Sequence, residues 1–262
     1  MTNREIMEYD VVVVGAGPSG LSAAIKLKQL TKEANKDLSV CVIEKGSEVG
    51  AHIVSGAVIE TKALDELIPD WKSKNSPLKT EAKDDKFLYL TETKSYQLPT
   101  PPQMHNKGNY IISLSDFTKW LAQQAEELEV EIYPGFAASE VLFDEKNKVL
   151  GVATSDMGRL KDGSEGPNFE RGIELRAKQT IFSEGCRGHL GKILMEKYNL
   201  NSDNSPQTYG IGIKELWEVN PENSKPGSIM HTTGWPLDND TYGGSFLYHL
   251  DNNKISIGFV VG

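Results

Sequence analysis

The sequence has very little cysteine and no metal-binding pattern. Its 262 residues include only two cysteines, Cys41 and Cys186, which lie far apart. This spacing argues against a disulfide framework and a CxxC metal site. An iron–sulfur cluster normally takes four cysteine thiolates, so these two residues alone cannot hold one. The five histidines are scattered without ligand spacing, and we therefore assign no metal ligands.

Long apolar runs and an excess of basic charge are also missing. No apolar run approaches the roughly 18–20 residues of a membrane-spanning helix. The net charge of −9 argues against a nucleic-acid-binding protein. The first ten residues are polar and mixed in charge, so we expect no signal or transit peptide. The last residues, KISIGFVVG, read as a strand without a following turn, and we expect an N-terminal piece of a longer protein.

Common catalytic motifs are absent too. The sequence contains no GxSxG, HExxH, Walker A or EF-hand pattern. Because no acid–base constellation is visible, we assign no catalytic residues. A bound cofactor is then expected to carry the reaction, and flavin chemistry asks little of side chains beyond binding, orientation and electrostatics.

The segment VVVVGAGPSGLSAA at residues 11–24 is the most informative stretch that is present. A continuous β-branched run predicts a strand buried on both faces of a parallel sheet. The following G-x-G-x-x-G before a helical pattern is the dinucleotide-binding fingerprint, in which the helix N-terminus faces a pyrophosphate. The predicted cofactor-binding residues here are Gly15, Ala16, Gly17, Pro18, Ser19 and Gly20.

A second apolar strand, LSVCVI, ends at Glu44, near the expected place of a carboxylate that binds the adenosine ribose. Such a carboxylate repels a 2′-phosphate, so NADP is disfavoured. We include Glu44 and the adjacent Lys45 in the cofactor site. The residues alone leave NAD and FAD open, although the lack of a second glycine fingerprint favours one tightly held dinucleotide.

The pattern of the remaining chain predicts an α/β fold followed by antiparallel strands. A hairpin is expected around TETK, and a helix is expected to begin with Ser115 as its N-cap. Separate strands are predicted at residues 173–176 and 179–185, with an exposed turn at 157–169 and a helix from Cys186. Four strands are predicted after residue 207.

Several longer motifs together resemble the electron-transfer flavoprotein:ubiquinone oxidoreductase family. They are GAGPSGLSAAIKLKQL, CVIEKGSEVGAHIVSGA, GNYIISL, TIFSEGCRGHL, QTYGIGIKELWEV and GGSFLYHL, and the likeness runs from about Tyr9 to Gly262. The resemblance implies an FAD-dependent electron-transferring-flavoprotein dehydrogenase that passes electrons from reduced electron-transfer flavoprotein to ubiquinone. It also implies a [4Fe–4S] cluster, whose cysteines lie in a C-terminal region that this sequence does not contain.

The resemblance further implies particular binding residues. Ser55, Gly56, Glu184 and Gly185 join the FAD candidates, and Gly243 and Gly244, after Tyr242, become quinone candidates. The segment from Gly50 to Trp71 would contact the membrane, whereas its apolar pattern alone favours a core position. Ser113 stands where relatives often have arginine.

These expectations define a domain plan and a location. A Rossmann-like FAD-binding domain of glutathione-reductase type is predicted at residues 1–75 and 105–200, with an inserted hairpin at 76–104. A truncated antiparallel quinone-binding domain follows at 201–262. We expect a peripheral protein of the inner membrane, on the cytoplasmic face of a bacterium or in a mitochondrion.

The alternatives are an FAD reductase or hydroxylase of geranylgeranyl-reductase type, acting on an isoprenoid or aromatic substrate, and a nucleotide-sensing module without turnover.

Overall fold

The computed structural model describes residues 4–54 and 56–262. The helices are α1 (Pro18–Glu33), α2 (Lys62–Leu67), α3 (Leu114–Glu126) and α4 (His189–Lys197), with short 3₁₀ turns at Pro102–Met104 and Pro221–Asn223. In chain order, the strands are β1 (Ile6–Val14), β2 (Val40–Glu44), β3 (Ala57–Ile59), β4 (Thr80–Glu81), β5 (Asp84–Leu90), β6 (Ser95–Leu98), β7 (Tyr110–Ile112), β8 (Glu131–Pro134), β9 (Ala138–Phe143), β10 (Val149–Thr154), β11 (Met157–Arg159), β12 (Glu165–Glu170), β13 (Glu174–Phe182), β14 (Ile211–Glu218), β15 (Ser228–Gly234), β16 (Gly243–His249) and β17 (Lys254–Val261).

The chain divides into two compact units. The first holds the residues up to His52 together with Thr118–Asn204, and the second holds Ile53–Phe117 together with Ser205–Gly262. Residues 53–75 and 105–117 therefore lie in the second unit, whereas the sequence placed them in the dinucleotide domain. The reason is strand pairing, because β7 pairs with both β3 and β4. The resulting three-stranded sheet belongs entirely to the second unit.

The first unit is built on a six-stranded sheet in the order β8-β2-β1-β13-β10-β9. The pairs β8–β2, β2–β1 and β1–β13 are parallel, and β10 and β9 continue the sheet in antiparallel pairing. Helix α1 connects β1 to β2, which is the predicted βαβ unit. Val12 and Val13 are fully buried, as are Leu21 and Ile25 of α1. The predicted buried strand and its helix are therefore confirmed.

Strand β13 corrects a prediction, because residues 173–176 and 179–185 were expected to form separate strands. Residues 174–182 instead form one strand, which pairs in parallel with β1 along its length and with β10 through its first residues. Lys178, between the two predicted segments, pairs its ammonium group with the Asp10 carboxylate at 2.5 Å. Since that side chain points outward to an ion pair, the strand continues without interruption.

Three further elements differ from their predicted bounds. The predicted exposed turn at 157–169 instead contains most of a short hairpin of β11 and β12. The glycines and charged residues of this segment are not typical of strands, so the pattern did not predict the hairpin. Helix α3 begins one residue before the predicted cap, and the Ser113 hydroxyl accepts a hydrogen bond from the Asp116 amide at 3.2 Å. The N-cap is thus Ser113 and not Ser115. Helix α4 begins at His189 rather than at Cys186.

The second unit contains a six-stranded sheet in the order β14-β17-β16-β15-β5-β6. The four predicted C-terminal strands are confirmed and pair antiparallel, and the predicted hairpin is β5–β6. One pair was not foreseen, because β15 lies parallel to β5 and joins the hairpin to the C-terminal strands. A small core forms around the buried residues Ala82, Ile111, Ile229 and Leu250.

The segment from Gly50 to Trp71 directs much of its apolar surface inward. Leu64, Ile68 and Trp71 are all buried. The Trp71 indole donates a hydrogen bond to Asp65 at 2.6 Å, and its ring meets Tyr110 edge to face. Val54 remains 61% exposed. Within residues 4–54 and 56–262, no helix combines the length and the hydropathy that a membrane span requires.

Candidate functional site

The glycine turn between β1 and α1 packs against the end of β13. Gly15 has φ +103°, and a Cβ atom built on it would lie 2.5 Å from the Ser183 carbonyl oxygen. A Cβ on Gly20 would overlap the Gly15 carbonyl oxygen. The Ser183 amide also donates to the Val14 carbonyl at 2.8 Å. The backbone path itself therefore requires glycine at 15 and 20.

Gly17 has no comparable structural reason to be glycine. Its φ of −77° is open to any residue, and a Cβ built there meets nothing within 4 Å. Gly17 is the N-cap of α1, and the first turn of that helix, which begins with Pro18 and Ser19, carries no acidic side chain. The helix N-terminus thus offers amide groups and positive dipole potential to an open space, as pyrophosphate binding requires.

Glu44 lies beside this turn at the end of β2. Its half-buried carboxylate accepts hydrogen bonds from the Ala16 amide at 3.0 Å and from the Gly46 amide at 2.7 Å. The structure thus brings the predicted acid and the predicted glycine turn together. Lys45 is exposed next to it. The arrangement suits a ribose whose hydroxyl groups donate to the carboxylate.

Glu184 has a structural partner that the sequence did not reveal. Its carboxylate accepts from the Leu190 amide at 3.2 Å and from the Gly191 amide at 2.7 Å. These amides lie in the first turn of α4, whose own N-cap residue, Gly188, makes no side-chain cap. Glu184 therefore caps α4. Gly185 has φ +84°, and a Cβ atom there would meet nothing within 4 Å.

Of the predicted pair Ser55 and Gly56, Ser55 lies outside the described residues. Gly56 has φ +104°, and a Cβ there would overlap the Ser256 side chain. Its carbonyl accepts a hydrogen bond from the Lys214 ammonium group at 3.1 Å. Both contacts lie within the second unit, and the positive φ and the Ser256 overlap explain this glycine without a ligand.

The predicted quinone residues lie at the start of β16. A Cβ on Gly243 would overlap the Val260 carbonyl oxygen, and one on Gly244 would overlap the Thr232 carbonyl oxygen. Close packing of β16 between β15 and β17 therefore already requires both glycines. Tyr242, just before them, is 86% exposed.

One polar cluster of the second unit was missed by the sequence analysis. The His231 Nε2 atom and the Tyr248 hydroxyl lie 2.9 Å apart, and the Phe246 ring stacks on Tyr248 with centroids 4.6 Å apart. Burial, aided by Asp85, raises the pKa of Tyr248 to about 12. Burial lowers the pKa of His231, which Asp85 partly opposes. No spacing motif predicts this pair, because the register between β15 and β16 creates it.

Metal coordination finds no support in the part of the chain that the structure describes. There, no group of three His, Cys, Asp or Glu side chains is arranged to hold a metal ion. Cys41 is buried and Cys186 is exposed, and neither forms a disulfide.

Solved structures share this fold at low sequence identity. A geranylgeranyl bacteriochlorophyll reductase-like protein from Thermoplasma acidophilum is similar with a TM-score of 0.64 and 18% identity, over 97% of this chain and 57% of that one. The myxobacterial chondrochloren halogenase, described as a variant of FAD-dependent halogenases, has a TM-score of 0.62 and 17% identity, over 98% of this chain and 53% of that one. The fold is that of FAD-dependent oxidoreductases and halogenases.

Sequence relatives are much closer. The chain is 60% identical to the mitochondrial electron transfer flavoprotein-ubiquinone oxidoreductase of Dictyostelium discoideum, over 99% of this chain and 43% of the relative. It is 56% identical to the Pseudomonas aeruginosa enzyme of that name, over 98% of this chain and 48% of the relative. Family models match at residues 209–262 (ETF-QO, ubiquinone-binding) and 2–66 (Thi4 family). The chain belongs to the electron transfer flavoprotein-ubiquinone oxidoreductase family, and it spans less than half the length of these relatives.

Proposed function

We propose that the chain binds FAD in its first unit and a quinone in its second. In the intact protein these two units would pass electrons from reduced electron-transfer flavoprotein to ubiquinone. The observation that carries this proposal is the 60% identity over 99% of the chain to a relative with that name. The likeness to the geranylgeranyl reductase-like structure, at 18% identity, supports the shared fold and not its substrate.

FAD fits the residues of the first unit. The amides around Gly17 would hold the pyrophosphate, since the space beside its Cα is open, and Glu44 would accept from the ribose hydroxyls. When bound, the flavin supplies reversible uptake and release of electrons. Gly185 is a further candidate for backbone contact, whereas the Glu184 side chain is occupied by its bonds to α4.

Quinone binding in the second unit rests on the ubiquinone-binding family model at residues 209–262 and on the glycine pair of β16. Because Gly243 and Gly244 carry no side chains, a flat ring can approach their backbone groups closely. Tyr242 would then border the ring.

Three finer assignments complete the proposal. A [4Fe–4S] cluster needs thiolates beyond Cys41 and Cys186, so its ligands would lie outside this chain. Electron-transfer flavoprotein would be the electron donor. We place the protein peripherally at the inner membrane, on the cytoplasmic face in a bacterium or in a mitochondrion. The exposed Val54, within the segment from Gly50 to Trp71, is available to a lipid surface.

A visible absorption spectrum of the purified chain tests the cofactor, and addition of reduced electron-transfer flavoprotein tests the donor. We expect flavin bands that this donor bleaches and that a short-chain ubiquinone analogue restores. Bleaching by NAD(P)H alone would instead identify a reductase or hydroxylase of geranylgeranyl-reductase type. Bands that no donor bleaches would indicate a sensing module, and a colourless, folded chain would overturn FAD binding.

A further inference from the structure

The second unit contains a partly buried hydrogen-bonded pair, His231 and Tyr248, that the proposed function does not yet use. Their rings meet edge to face with centroids 5.5 Å apart, and Nε2 of His231 lies 2.9 Å from the Tyr248 hydroxyl. Both side chains are partly buried. A partly buried imidazole fixed by a phenol hydroxyl is a group that can hold and release a proton at a defined atom.

This pair shares a sheet face with Gly244 of β16. In the antiparallel register, His231 lies opposite Phe246. Gly244 and Tyr248 are each two residues from Phe246, and side chains at every second position point to the same face. His231 is therefore about 7 Å along this face from the position of Gly244, given a rise of about 3.4 Å per residue. The planar ring of Phe246 stacks on Tyr248 and covers Gly258 of β17.

Two charged groups face this region from neighbouring strands. Asp85 of β5 lies opposite Ile229, so it is on the same face as His231, and its carboxylate accepts from the Asn106 amide and side chain at 2.9 and 2.8 Å. Lys214 of β14 lies over the Phe246 ring, with its Nζ atom 5.4 Å from the centroid. Asp85 favours the protonated imidazole, which compensates for part of the burial cost.

Reduction of a quinone to a quinol consumes two electrons and two protons. We propose that His231, held in place by Tyr248, delivers one of these protons through one bridging water to a quinone oxygen bound beside Gly244. The inference rests on the proposed function, which supplies both electrons from reduced electron-transfer flavoprotein. An N–H bond of the imidazolium breaks as the quinol O–H bond forms, and water then returns a proton to the imidazole. The second proton comes from water.

The first experiment measures steady-state quinone reduction by the intact, FAD-loaded protein carrying His231→Gln or Tyr248→Phe. For His231→Gln we expect kcat to fall on the order of 100-fold, the lower range for general acid catalysis, with an unchanged KM. The wild-type kcat should decrease as pH rises through the lowered pKa of His231, and this pH dependence should vanish in His231→Gln. Tyr248→Phe should give a smaller loss and a shifted profile. The matched control is Tyr96→Phe, on the exposed edge strand of the same sheet.

A second measurement does not depend on turnover. In protein with ¹⁵N-labelled histidine, a short-chain ubiquinone analogue should shift the ring resonances of His231 and leave those of the exposed His105 unchanged. Quinone reduction with a normal kcat and pH profile in His231→Gln would overturn the inference while leaving the proposed function intact. A wild-type protein that neither reduces quinone nor responds to the analogue would overturn the proposed function itself.

Discussion

At the scale of single residues, Gly17 is a position where a bound pyrophosphate would require glycine and the fold does not. In Gly17→Val, the new side chain enters open space and the backbone φ stays allowed. We expect loss of flavin from the purified protein, because the valine would occupy the place of the pyrophosphate, with little change in the unfolding temperature. Absorption spectra and thermal unfolding measured without added FAD check both parts.

Two variants of the same helix serve as controls for Gly17→Val. Lys26→Val adds a β-branched residue at an exposed position of α1 and should keep its flavin. Gly20→Ala should lose both flavin and stability, because its Cβ would overlap the Gly15 carbonyl oxygen. Retained flavin in Gly17→Val would contradict the pyrophosphate assignment.

The two cysteines should differ sharply in reactivity. Burial raises the pKa of the Cys41 thiol to about 12, so about one molecule in 10⁴ carries the thiolate at pH 8. Cys186 is exposed. We expect a thiol reagent at pH 8 to label Cys186 rapidly in the native protein and Cys41 only after unfolding. Mass spectrometry of wild type and Cys186→Ser checks this, and rapid native labelling of that variant would contradict the buried position of Cys41.

Residue types and spacing predicted the position of Glu44 beside the glycine turn, but they did not reveal why Gly243 and Gly244 are glycines. Glu44 follows a buried strand, and parallel β–α–β geometry brings the ends of such strands to one edge of the sheet. The glycine pair is instead required because a Cβ atom at either position would overlap a carbonyl oxygen of a neighbouring strand, that of Val260 or of Thr232. Such contacts depend on register, which one sequence does not reveal. A valine at Gly244 would therefore disturb the sheet and could not test quinone binding by itself.

At the scale of elements, the N-terminus of α4 depends on a side chain from outside the helix. Because Gly188 cannot cap it, the Glu184 carboxylate supplies the acceptor for two first-turn amides. We expect Glu184→Ala to lower the free energy of unfolding by about 0.5–2 kcal/mol, the range for a lost N-cap. Urea unfolding followed by circular dichroism measures this loss.

Glu184→Gln is the matched control for the capping prediction, since its amide oxygen still accepts one of the two hydrogen bonds. It should lose less stability than Glu184→Ala. Equal stability of the alanine variant and wild type would show that the cap contributes nothing. A separate titration with FAD would reveal any direct part of Glu184 in cofactor binding.

Elements with strong apolar periodicity were predictable, and elements made by long-range pairing were not. Consecutive apolar residues predict strand β1, and apolar residues at helical spacing predict helix α1. The parallel pair β15–β5 joins strands that are distant in the chain, so no local pattern signals it. The same limit explains why residues 53–75 were placed in the wrong compact unit, since pairing of β3 with β7 decides their position.

At the scale of the whole molecule, the sheet of the second unit leaves an apolar face in water. Ile211 and Ile213 of edge strand β14 are 78% and 71% exposed, and Trp217 lies on the same face because it follows at even spacing. Glu215 lies between them on this face and accepts a hydrogen bond from the Trp217 indole. Exposed apolar side chains on an edge strand promote association between copies. The net charge of −9 opposes such association, but salt screens this repulsion beyond about 10 Å.

We therefore expect this chain by itself to self-associate with rising concentration. Ile213→Lys should weaken that association about 10- to 100-fold, because removing one buried isoleucine contact costs roughly 1.5–3 kcal/mol. Sedimentation velocity over a range of concentrations measures the effect. Leu160→Lys is the charge-matched control, since Leu160 is an exposed apolar residue of the first unit and its replacement changes the net charge equally. If both lysine variants weaken association to the same extent, net charge and not the β14 face governs association. If the wild-type chain stays monomeric at every concentration, the exposed face does not mediate self-association.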